Sequence, residues 1–160
     1  MQNESQLKSY ITFGLGDEKF ALAVDHVQEI VELDKVTKIP NAPHYMLGII
    51  NLRGKVLPLL DTRLKLGLSE ALATKKSRIM VIDIMVTDEK VIQIGALVDV
   101  AKEVIELSPS DIQEAPEFEN YNTKTPITGV VNNKGDITMI MDVNKVFSSA
   151  DILQLNQIMN

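Results

Sequence analysis

The stretch GIINLRGKVLPLLD, residues 48–61, returns as GVVNNKGDITMIMD, residues 129–142. Gly48, Asn51, Gly54 and Asp61 recur as Gly129, Asn132, Gly135 and Asp142, each displaced by 81 positions (129 − 48), and Arg53 is answered by Lys134. A second echo precedes each copy: VDHVQEIVEL at 24–33 matches VDVAKEVIEL at 98–107 with a displacement of 74 (98 − 24). The same two pieces in the same order, twice, mark an internal duplication. Two copies are too few for a solenoid, whose repeats are stacked between neighbours. They predict a pair of similar small subdomains.

The local patterns are those of sheet. Residues 10–24 predict two strands joined at Gly16-Asp17-Glu18, and 79–98 repeat the design around Thr87-Asp88-Glu89-Lys90, with β-branched and aromatic residues flanking turn formers. Asp25 and Asp99 each follow a strand where a helix N-cap would stand, and Gln28 completes a capping-box pattern with Asp25, so a helical turn running into a strand is expected there. Asp61 and Asp142 are expected to cap short helices at 62–66 and 143–147. Pro58 cannot donate to a ladder, which predicts an edge or a bulge in its strand. Ser108-Pro109 is a helix start. The run QEAPEFENYNTKTP, 113–126, reads as a solvated loop. Ile152, Leu153, Leu155, Ile158 and Met159 fall at helical spacing, which predicts a terminal helix docked on the core.

Composition narrows the function classes. With 45% apolar residues in 160, a buried core is within reach. A net charge of −6 opposes nucleic acid or an anionic membrane as partner, since binding phosphates requires a basic surface. The absence of cysteine excludes disulfides, Cys-ligated metals and thiol catalysis together. MQNESQLKSY has no basic region leading into an apolar one, so no secretory signal is read. No run of about 18 apolar residues exists to span a bilayer. The expected location is the cytoplasm.

The inventory for catalysis is thin. His26 and His44 have no His or Cys at ligand spacing, so no metal site is expected. There is no P-loop, no G-x-S-x-G, and Gly14-Leu15-Gly16 opens a hairpin rather than a helix. An enzyme or a small-ligand barrel is therefore disfavoured, and no cofactor is expected. Arg53 sits at a hairpin apex between Leu52 and Gly54. An arginine in a turn is commonly just solvated, but a planar guanidinium beside an exposed leucine is also a pairing that protein interfaces favour. Glu29 and Glu32, echoed as Glu103 and Glu106, form either a solvated face or the rim of a docking patch beside Val27, Ile30 and Val31. Asn51 and Asn132 are expected to bond their turn backbones.

Taken together, GIINLRGKVLPLLDTR (48–63), YITFGLGDEKFALAVDHVQEIV (10–31), Pro40-Asn41-Ala42-Pro43, RIMVIDI (78–84), LVDVAKEV (97–104) and ITGVVNNKGDITMIMDVNKVF (127–147) closely resemble the CheW family of bacterial chemotaxis coupling proteins. The resemblance covers nearly the whole chain. It implies an all-β fold with short helices, built as two pseudo-symmetric SH3-like β-barrel subdomains. That is one domain at 8–150, with approximate halves 8–75 and 76–150 and strand exchange between them possible, then a C-terminal helix or tail at 151–160. It implies an adaptor without catalysis, linking the cytoplasmic tip of methyl-accepting chemoreceptors to the regulatory domain of the histidine kinase CheA in arrays beneath the inner membrane. Asn51, Leu52, Arg53 and Gly54 then correspond to the receptor-binding hairpin, and Val27, Glu29 and Ile30 to the kinase contact. A coupling domain of a variant chemosensory branch is the alternative within the family.

Overall fold

The computed structural model describes residues 6–114 and 125–147, and positions 151, 154, 155, 157 and 158 beyond them. Eleven strands are described: β1 (Lys8–Leu15), β2 (Glu18–Ala23), β3 (Val27–Glu32), β4 (Met46–Leu52), β5 (Lys55–Asp61), β6 (Arg78–Thr87), β7 (Lys90–Val98), β8 (Val100–Leu107), β9 (Gln113–Glu114), β10 (Ile127–Asn133) and β11 (Asp136–Met141). Two four-residue helices accompany them, α1 (Thr62–Lys65) and α2 (Val143–Val146). The hairpins β1–β2 and β6–β7 turn where the sequence places turn formers. Asp61 caps α1 by accepting from the Arg63 N–H at 2.9 Å, and Asp142 caps α2 through the Asn144 N–H at the same distance. Pro58 lies on an inner strand, but β5 pairs with β7 only from Leu59 onward. At Pro58 the ladder therefore needs no donor on that side.

Two capping expectations fail for one reason. The helical turn running into a strand is present, as the 3-10 turn Val24–His26 leading into β3, but Asp25 does not cap it, and the Gln28 side chain bonds Asp83 instead. Asp99 starts no helix, because Val100–Leu107 continue as a strand on β1 and the Asp99 carboxylate accepts from the Gly16 N–H. In both places a neighbouring strand supplies the partners that a helix would have supplied internally, and β-branched residues suit the strand. Gln113 and Glu114, read as loop, make the two-residue β9 against β10. Residues 115–124 of that predicted loop, with Ile152, Leu153 and Met159 of the tail, lie outside the described residues.

The strands form two curled sheets, ordered β8-β1-β2-β11-β10-β9 and β3-β6-β7-β5-β4. Position by position, β8, β1, β2, β11 and β10 stand in the first sheet where β3, β6, β7, β5 and β4 stand in the second. The equivalence extends to the parallel contacts, β2 with β11 and β7 with β5. Each copy of the duplication therefore lends its opening hairpin to the barrel of the other. The second sheet is drawn wholly from residues 27–98, and the chain passes between sheets only at 24–26 and at Asp99.

Exchanged hairpins are buried on both faces, which is why RIMVIDI reads as a nearly unbroken apolar run. Ile79 and Val81 point into a small core with Ile50, Leu57 and Leu59, while Met80 and Ile82 point the other way. That other side is the main core, where Phe13, Leu15 and Leu22 of the first sheet meet Leu60, Met80, Ile82 and Ile94 of the second. The first barrel has its own small core of Tyr10, Ala21, Leu107 and Ile140. Gly48 and Gly129 recur because a second segment crosses close at each. A Cβ at Gly48 would run into the Thr37 carbonyl, and one at Gly129 would meet the Ile112 side chain at 2.6 Å.

Candidate functional site

The hairpin between β4 and β5 is built to display one residue. Arg53 and Gly54 both have positive φ, 51° and 87°, the backbone of a primed two-residue turn, which matches the twist of its flanking strands. Asn51 Oδ1 accepts from the Gly54 N–H at 2.8 Å and fastens the turn from inside. The second copy repeats this with Lys134 (φ 54°), Gly135 (φ 90°) and an Asn132 to Gly135 bond of 2.9 Å. The asparagines thus serve the turn backbone. A non-glycine residue in the left-handed region costs about 1–2 kcal/mol, so Arg53 is held in a conformation its side chain does not favour. The guanidinium is put out into solvent, with the side chain 69% exposed.

It does not stand alone there. Arg53 Nη2 donates to Glu29 Oε2 at 2.5 Å, joining the β4–β5 apex to β3. β3 and β4 are the two edges of the second sheet, so this ion pair spans the seam at which the curled sheet meets itself. The hydrogen bond from Arg53 holds the Glu29 carboxyl below its ordinary range and, reciprocally, the guanidinium above its own. Both side chains face water, where such pairs add little to stability. The pair's consequence is geometric: it fixes where a guanidinium and a carboxylate are presented.

Beside the pair, along the seam, opens a cavity of about 560 Å³. Val31, Ile50, Leu52 and Val56 give it apolar lining, and Glu32, Asp34 and Lys35 add charged groups of both signs. Val56 is half exposed although it lies within a strand. Leu52 lines this cavity and packs against the small core of the second barrel. Val27 and Ile30 pack instead against the main core, so Glu29 is the member of that trio that reaches the hairpin. The structure brings Glu29, Asn51, Leu52, Arg53 and Gly54 to one place. Val56 and Asp34 carry no local signal of exposure at a groove, because curling of the sheet brings them there.

A second polar group lies elsewhere. The Lys65 ammonium is 2.6 Å from Asp151 Oδ2 and 4.5 Å from the centroid of the Tyr45 ring, and Tyr45 donates its hydroxyl to Asp151 Oδ1 at 3.2 Å. Burial, then the Asp151 charge, pushes the Tyr45 phenol up to about 12. With Leu155 3% exposed in the main core, this group fastens the described part of the tail to the body. Among the described residues no cluster of His, Asp and Glu is placed to hold a metal ion. No helix among them is long and apolar enough to cross a membrane.

Residues 9–151 match the family model described as the CheW-like domain. The chain is 32% identical over 144 residues to the chemotaxis protein CheW of Rhizobium meliloti, covering 90% of each chain. It is 34% identical over 136 residues to that of Bacillus subtilis, covering 85% of this chain and 84% of the relative. Among solved structures, the scaffolding protein TtCheW of Thermoanaerobacter tengcongensis superimposes with a TM-score of 0.75 at 29% identity, over 88% of this chain and 92% of that one.

Proposed function

The chain belongs to the CheW-like domain family, a family of non-catalytic chemotaxis adaptors, and from that premise we propose that it joins the cytoplasmic tips of methyl-accepting chemoreceptors to the regulatory domain of the histidine kinase CheA. It acts as one coupling domain over 8–150, in arrays beneath the inner membrane. Asn51, Leu52, Arg53 and Gly54 form its receptor contact, and Val27, Glu29 and Ile30 its kinase contact. The observation that supports this reading best is the primed turn carrying Arg53 beside an apolar groove. It is a preorganised guanidinium at the edge of exposed apolar surface, the composition of an interface anchor.

The ion pair between Glu29 and Arg53 makes the two proposed contacts neighbours on one face. A partner that claims the guanidinium must compete with Glu29, so substitution of either residue is felt at both contacts. Reconstitution tests the reading: kinase activity of CheA with receptor tip fragments is measured with and without this protein. Activation that depends on the protein is the expected result. Arg53→Glu lowers co-sedimentation about tenfold, the cost of losing one interface anchor, with an unchanged circular dichroism spectrum. Undiminished co-sedimentation would reduce Arg53 to a turn residue.

A further inference from the structure

The two places where the chain passes between sheets carry the two echoed aspartates, and the structure treats them differently. At the return crossing, Asp99 alone separates β7 from β8. Its N–H donates to the Gly14 carbonyl at 3.2 Å, and its Oδ2 accepts both from the Gly16 N–H at 2.6 Å and from Arg63 Nη1 at 2.7 Å. Arg63 leaves α1, at the end of β5, and its Nε also donates to the Ser69 carbonyl at 2.8 Å. The Arg63 side chain is 14% exposed. One carboxylate and one guanidinium thus tie the β1–β2 turn of the first sheet to the β5–α1 corner of the second. At the outward crossing, Asp25 is exposed and does not cap the 3-10 turn, and its side chain makes no hydrogen bond or ion pair among the described residues. The position that answers Arg63 in the second copy is Asn144, displaced by 81 (144 − 63), which has no guanidinium to offer.

We infer that Arg63 and Asp99 are positioning residues: they lock the barrels together at the Asp99 crossing, so that relative movement of the two barrels is confined to the crossing at 24–26. A half-buried, forked guanidinium that satisfies a carboxylate and a carbonyl together holds geometry in a way that a single exposed pair does not. The crossing left unlocked leads directly into Val27 and Glu29. The inference goes beyond the adaptor reading and does not depend on it, because it is tested on the protein alone.

The chain has no cysteine, so labels can be placed without background. Spin labels at Met85→Cys in the second sheet and Ile137→Cys in the first, both half exposed, report the distance between barrels by double electron–electron resonance. A pair at Met85→Cys and Val56→Cys lies within the second sheet. Asp99→Asn and Arg63→Gln are each expected to broaden the inter-barrel distribution about twofold with the within-sheet distribution unchanged, and Arg63→Lys to broaden it less. Asp25→Asn is expected to change neither. An inter-barrel distribution that ignores Asp99→Asn and Arg63→Gln overturns the lock. Equal broadening of both label pairs overturns it too, since the contacts would then merely support the fold. A response to Asp25→Asn as large as that to Asp99→Asn would remove the asymmetry between the crossings.

Discussion

At the scale of single residues, the pairing of Glu29 with Arg53 has a pH signature whose sign follows from its cause. The hydrogen bond and charge of Arg53 favour the carboxylate, so the Glu29 pKa is lower folded than unfolded. The interaction is therefore complete above the ordinary carboxylate range and is lost as pH falls through the lowered folded value. Carbon-detected NMR of the Glu29 carboxyl is expected to place its midpoint below the ordinary value of 4.5, and Arg53→Gln to return it there. A midpoint unmoved by Arg53→Gln would mean that the pair does not persist in solution. Both members are visible in the sequence, one at a hairpin apex and one in a repeated acidic pattern. Their contact is not, because it spans 24 residues and exists only once the sheet has curled. Thr62 shows a similar limit. It is fully buried with a hydroxyl that finds no partner among the described residues, an environment suited to an apolar side chain that nothing in its local sequence reveals.

At the scale of elements, features that depend on near neighbours were legible and those that depend on distant ones were not. The turn of each hairpin and the caps of α1 and α2 are fixed by residues within a few positions of one another, and they lie where local chemistry puts them. Asp25 and Asp99 look like caps by the same local chemistry. They fail as caps because β1 and β6 offer edge hydrogen bonds to the strands that follow, which leaves no helix after Asp99 and only a single 3-10 turn, uncapped by a side chain, around Asp25. The tail is the element whose docking can be weighed. Leu155 is 3% exposed in the main core, and Asp151 is held by Lys65 and Tyr45. Truncating a leucine so buried costs about 2–5 kcal/mol, which at about 2–4 °C per kcal/mol for a chain of this size lowers the melting temperature by roughly 4–20 °C. Leu155→Ala measured by calorimetry is expected to fall in that range. A change near zero would show that the tail spends most of its time undocked.

At the scale of the whole molecule, the duplication announces two like units, but sequence cannot show which hairpin each unit keeps. A repeat records what the strands are, whereas pairing records which edges meet. Exchange has a consequence for folding. The second barrel is made entirely of residues 27–98, so by connectivity it could be excised as a continuous piece. By packing it could not. Leu60, Met80, Ile82 and Ile94 leave it to enter the main core, where Phe13, Leu15 and Leu22 of the other sheet cover them. Exposing four such side chains costs on the order of 6–12 kcal/mol, at about 1.5–3 kcal/mol each. That is comparable to the 5–15 kcal/mol by which whole domains are stable. A fragment of residues 27–98 is therefore expected to give a collapsed, poorly dispersed amide spectrum and to bind hydrophobic dye, although it carries every strand of its barrel. Adding a second fragment that contains 8–23 and 100–141 in one chain is expected to restore dispersion by rebuilding the shared core. A dispersed spectrum from 27–98 alone would show that the small core of Ile50, Leu57, Leu59, Ile79 and Val81 suffices, and that the barrels are joined rather than interdependent.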